Sequence, residues 1–131
     1  NLCSYDGGAI AVEDSDVLEV VGAKFVGNIA LNSGGGFWLS NCQSFKMSSA
    51  YCESNIAVER SGGVLKAECA SSNCSIVFDA LTEDERMTFK RNSAQISGAV
   101  IDWSGGSLPI FNDSERYTIE ENTAPYADVV S

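Results

Sequence analysis

The chain has 131 residues, and 18 Asp and Glu against 8 Lys and Arg leave a net charge of −10. So acidic a surface argues against binding nucleic acid through its phosphates. The absence of histidine excludes Ser-His-Asp and Cys-His catalysis, His-ligated zinc and histidine pH switching.

Hydrophobic residues make up 44% of the chain, enough for a packed core. No apolar run approaches the roughly 18 residues of a membrane-spanning helix, so no direct membrane span is expected. The chain opens on Asn1 without an initiator Met or a signal peptide, which is expected of a processed protein or of a segment of a longer one.

Taken in chain order, four units follow one another. The first starts at Gly7-Gly8-Ala9-Ile10 and carries short apolar runs at 9–12, 17–21 and 24–26 before Phe25-Val26-Gly27-Asn28 and Ala30. The second starts at Gly35-Gly36-Phe37-Trp38, with runs at 37–39, 45–47 and 50–52, and reaches Cys52-Glu53-Ser54-Asn55 and Ala57. The third starts at Gly62-Gly63-Val64-Leu65, carries an insertion around 70–86, and closes on Phe89-Lys90-Arg91-Asn92 and Ala94. The fourth starts at Ser97-Gly98-Ala99-Val100 and closes on Ile119-Glu120-Glu121-Asn122 and Ala124.

Four Asn-x-Ala elements in phase with four Gly-apolar starts define a repeat of about 27 to 30 residues. Runs of three to five residues rich in Val, Ile and Phe, separated by Gly, Ser, Asn and Asp, read as strands. No stretch keeps helical periodicity over ten residues. The expected fold is all-β: a right-handed parallel β-helix over 1–131 of about four coils. Each coil has three short strands, and the coils start near 7, 35, 62 and 97.

Coils stack at the strand spacing of about 4.8 Å, so equivalent residues form columns. Asn28, Asn55, Asn92 and Asn122 then form a structural ladder in which each side-chain amide bonds the next, every bond contributing on the order of 1 kcal/mol. Phe25, Cys52, Phe89 and Ile119 fill the interior.

A Gly-Gly-Ala-Ile motif alternating with Phe-x-x-Asn, here Gly7–Ile10 with Phe25–Asn28, resembles the polymorphic outer-membrane-protein repeat of chlamydiae. The ending 121–131 is similar to coil ends in large secreted repeat proteins of protists. The resemblance implies a right-handed parallel β-helix in a surface or adhesin-like protein. Cys52 and Ile119 depart from it at the Phe position, and Ser97 at the first Gly.

Candidate chemistry is sparse. Parallel β-helices include polysaccharide lyases and hydrolases, whose carboxylates project from successive coils. Counting five residues from the last Gly of each start aligns Glu13, Asn41, Glu68 and Trp103. This puts the two carboxylates about 9.6 Å apart, near the upper end for an inverting glycosidase, with Trp103 available to stack on a sugar. The weightier reading of these residues is a solvated strand edge, and no enzyme activity and no cofactor are expected. Glu13-Asp14-Ser15-Asp16 lacks the features of a calcium loop and reads as a solvated acidic turn. Glu83-Asp84-Glu85-Arg86 reads as a surface loop within the insertion.

Five cysteines suggest an oxidising compartment. Cys42 and Cys69 each lie six residues past their unit's last Gly and are the preferred disulfide, with Cys69–Cys74 as the alternative. Cys52 is expected as a buried free thiol, and Cys3 as bonding outside the segment. Asn73-Cys74-Ser75 and Asn112-Asp113-Ser114 are glycosylation sequons. The expected protein is an extracellular or cell-surface structural or adhesive module. Its partners are itself or neighbouring coils of the same chain, and surface glycans. Phe37, Trp38 and Leu39 are consecutive, so at least one large side chain points outward, and the strand-like run 128–131 leaves an uncapped edge. The rivals are a carbohydrate-active enzyme and, less favoured, an ice- or glycan-binding solenoid.

Overall fold

The structure, a computed structural model, describes residues 1–71 and 73–125. The run 126–131, expected to end the last coil, lies outside the described residues. The chain winds into a parallel β-solenoid of about four turns. Each turn places one strand in each of four parallel sheets. The first sheet stacks Ile10–Glu13, Phe37–Ser40, Leu65–Glu68 and Ile101–Ser104. The second stacks Val17–Val21, Ser44–Ser48, Ser75–Asp79 and Ile110–Asn112. The third stacks Lys24–Val26, Tyr51–Glu53, Met87–Lys90 and Tyr117–Glu120. Beside these three strands per coil runs a fourth of only two residues, at Leu2–Cys3, Ile29–Ala30, Ile56–Ala57 and Ser93–Ala94.

Left-handed residues turn the chain between sheets. Gly7, Gly34, Gly62 and Gly98 have φ of 68°, 66°, 73° and 58° and open the first sheet. Gly27, Ser54, Arg91 and Glu121 turn the chain after the third sheet with φ of 65°, 56°, 51° and 55°. An L-residue in this region costs roughly 1–2 kcal/mol, so Ser, Arg and Glu are held there by the coils around them. Their amides bond carbonyls of the next coil: Gly27 to Glu53, Ser54 to Lys90, and Arg91 to Glu120.

The glycine column resets the register expected from sequence. Gly34, not Gly35, matches Gly7, because Gly34 is the left-handed residue of the Gly34-Gly35-Gly36 triplet. The second coil therefore begins one residue earlier than 35, and the fourth at Gly98. The column containing Glu13 and Glu68 is completed by Ser40 and Ser104, not by Asn41 and Trp103. Trp103 instead follows Leu39 and Ala67 and packs against the core. Trp38 lies in the outward column with Ala11, Lys66 and Asp102.

The interior is a stack of apolar side chains. Phe37, Phe45, Phe78 and Phe89 are fully buried, each burial contributing about 2–3 kcal/mol. Their rings meet edge-on at 5.7–6.1 Å, and Phe78 lies stacked at 5.2 Å on Phe111 of the next coil. Phe25, Cys52, Phe89 and Ile119 share one column. Cys52 and Phe89 are sealed, whereas Ile119 is 46% exposed.

The insertion in the third coil is two insertions. Extra residues enter between Cys69 and Cys74, before Ser75–Asp79, and residues 81–86 bulge after it, because Ser75–Asp79 keeps register with Ser44–Ser48. The hydroxyl of Ser49 ties down the second insertion. It donates to the Glu85 carbonyl at 2.7 Å and accepts the Leu81 amide at 3.1 Å.

Candidate functional site

The most organised polar group in the molecule is a column of asparagines. Nδ2 of Asn28 donates to Oδ1 of Asn55, Asn55 to Asn92, and Asn92 to Asn122, each at 2.9 Å. The same oxygens accept backbone amides: Asn28 at 3.2 Å, Asn55 at 2.9 Å and Asn92 at 3.0 Å. The second Nδ2 hydrogen turns back one coil. Asn55 donates to the Phe25 carbonyl, Asn92 to Cys52 and Asn122 to Phe89, at 2.8, 3.0 and 2.8 Å.

Asparagine suits this task because one side chain presents two donors and a two-lone-pair acceptor. Aspartate could accept but not donate. The left-handed residue just before each asparagine aims it along the axis, and Asn55 and Asn92 are fully buried. A fifth asparagine belongs to the column and escaped the sequence reading. Leu2 pairs with Ile29, which sets Asn1 opposite Asn28, and the Asn1 carbonyl accepts the Ile29 amide at 2.8 Å. Its signal was Asn1-Leu2-Cys3, an Asn-x-Ala element with Cys in place of Ala.

A shorter ladder lies on the surface at the corner between the first and second sheets. Asn41 Nδ2 donates to Asp14 Oδ1 at 3.1 Å, and Asn41 Oδ1 accepts the Ala70 amide at 2.9 Å. The acidic turn 13–16 thus spends one carboxylate on coil stacking. Ion pairs run along the axis as well: Lys46 with Asp79, Lys66 with Asp102, Lys90 with Glu120, and Arg91 with both Glu53 and Glu121.

The preferred disulfide is overturned. Cys69 bonds Cys74, with Cα atoms 6.2 Å apart, and Cys42 is a free, buried thiol. The cause is register: Asn41, not Cys42, lies opposite Cys69, since the Asn41 amide bonds the Glu68 carbonyl at 2.8 Å. Burial pushes the Cys42 thiol pKa up, against hydrogen bonds to the backbone of Ser44 and Leu18. Burial alone pushes Cys52 up further. Cys3 is free and lies in the column of Ala30 and Ala57.

The two sequon asparagines are exposed, Asn73 in the loop closed by the disulfide and Asn112 at the end of a strand. Glu13 and Glu68 are brought into one outward column, two coils apart and both exposed, with Ser40 between them. Comparison with family models, with curated proteins and with solved structures finds no match to this chain.

Proposed function

We propose that this chain is a non-enzymatic structural module of an extracellular or cell-surface protein, extended by stacking further coils of its own kind. The observation that carries this is the state of the first coil. Ile10, Val12, Leu18, Val20 and Phe25 occupy inward columns but are only half-buried. The residues in register beneath them, Phe37, Leu39, Phe45, Met47 and Cys52, are at most 2% exposed. A coil laid on this face would bury the first as the first buries the second.

The opposite face is less receptive. A Cβ at Gly8, Gly35 or Gly63 would overlap the carbonyl oxygen of the following coil, whereas the same column in the fourth coil holds Ala99. A coil added there in register would meet the Ala99 methyl. Growth is therefore proposed on the first coil, by neighbouring coils of a longer chain or by a second copy.

The disulfide supports an oxidising compartment, and the exposed sequons support a glycosylated surface. The Gly-Gly-apolar and apolar-x-x-Asn pattern, folded into stacked coils, supports kinship with the repeats of chlamydial outer-membrane proteins and of protist secreted proteins.

Isolated, the chain should pair through its first-coil face as its concentration rises, giving a larger, concentration-dependent species by size-exclusion chromatography and electron microscopy. A species that stays monomeric at every concentration contradicts the proposal. The rival enzyme reading rests on the Glu13 and Glu68 column, with about 9.6 Å between the two strands. Pectin and alginate should release neither reducing ends nor unsaturated products. Turnover abolished by Glu68→Gln would install the enzyme reading instead.

A further inference from the structure

Three cysteines lie together at one corner of the solenoid. Cys42, Cys69 and Cys74 line the same small crevice, together with Leu39, Phe45 and Ile76. Register explains the meeting. The Asn41 amide bonds the Glu68 carbonyl, and the Ser75 amide bonds the Gln43 carbonyl. Cys42 is the residue between Asn41 and Gln43, so its register neighbours on the third coil are Cys69 and Cys74, which the disulfide joins. A thiol beside a disulfide is the arrangement from which exchange proceeds.

We propose that Cys42 attacks Cys74, displaces Cys69, and converts a crosslink within one corner into a staple between neighbouring coils. The Cys42 thiolate forms a bond to Sγ of Cys74 as the Cys69–Cys74 bond breaks. The electron pair leaves on Sγ of Cys69, which takes up the proton that Cys42 gave up. One disulfide and one thiol are present before and after, so no oxidant or reductant is consumed.

Cys69 is the better leaving group. It is the more exposed of the bonded pair, so water stabilises its thiolate, and a stabilised thiolate leaves faster. Its sulfur also lies 2.9 Å from the Ser71 carbonyl. A disulfide sulfur has no hydrogen to give that oxygen, but the freed thiol does. The product closes a longer loop than the local bridge and so constrains the unfolded chain more. It also ties the second coil to the third against separation.

The test is disulfide mapping of the folded chain. Because burial holds the Cys42 thiol above its ordinary value, the protein is incubated without reductant at about pH 8 to 10, returned to neutral pH, trapped with N-ethylmaleimide and digested with trypsin. Cys42 falls in peptide 25–46, Cys69 and Cys74 in 67–86, and Cys52 in 47–60. The expected result is a disulfide-linked pair of 25–46 and 67–86 with the maleimide on Cys69. It should accumulate at a rate independent of protein concentration and be absent from Cys42→Ser. Cys52, which is fully buried, should stay unlabelled, showing that exchange occurs in the folded state. No linked pair, a maleimide on Cys74 instead of Cys69, or labelling of Cys52 at the same rate would each overturn the proposal.

Discussion

Asn55→Ala should lower the stability of the solenoid by about 3 kcal/mol and its Tm by roughly 10 °C. Asn55 is fully buried and sits in the middle of the ladder. Its removal strands the Asn28 backbone and side-chain amides, which both bond its oxygen, and the Phe25 carbonyl, which accepts its nitrogen. Each stranded buried group costs about 1–3 kcal/mol, less whatever water reaches it. Asn55→Asp keeps the acceptor and loses both donations, and it buries a charge beside the Asn92 oxygen, so it should be no milder. Asn73→Ala, at an exposed position in the loop closed by the disulfide, is the control and should change stability by less than about 0.5 kcal/mol. Equal shifts for Asn55→Ala and Asn73→Ala would remove the ladder from the account.

Gly35→Ala should be the more damaging change, costing about 4 kcal/mol or preventing folding. A Cβ there would overlap the Gly63 carbonyl oxygen and lie 2.5 Å from the nitrogen and 2.8 Å from the carbonyl carbon of Ile56. All three are backbone atoms, the oxygen on the next coil and the two Ile56 atoms across Gly35's own coil, and they cannot yield without prising strands apart. Gly22→Ala separates this crowding from backbone strain. Gly22 also has a positive φ, 62°, but its Cβ would point into open space. It should therefore cost only about 1–2 kcal/mol. Denaturant titrations in which the two variants match would show that close coil packing at Gly35 is not what glycine provides.

Asn28, Asn55, Asn92 and Asn122 could be brought into one column from sequence because the Asn-x-Ala element repeats with little variation. The left-handed corners were hidden wherever they are not glycine. Ser54, Arg91 and Glu121 carry no residue-type signature of a positive φ, since the coils above and below impose it. The slip at the second coil came from the triplet Gly34-Gly35-Gly36, in which composition cannot say which glycine turns. That one-residue error carried Asn41 into the Glu13 column and made Cys42 and Cys69 look opposed, and a separate slip at Ser97-Gly98, where Gly98 is the left-handed residue matching Gly7, carried Trp103 there. The extra residues between Cys69 and Cys74 compounded it, because the disulfide brings Cys74 back to Cys69 and leaves the inter-coil partner Cys42 free.

Cohesion between coils through the buried asparagine column is tested most directly by hydrogen exchange of asparagine amides, followed by NMR. The account predicts that the backbone amides of Asn28, Asn55 and Asn92, and the side-chain amides of Asn55 and Asn92, exchange only with global unfolding. Each is bonded within the column. The amides of Asn73 should exchange orders of magnitude faster. Comparable rates for Asn55, Asn92 and Asn73 would contradict it.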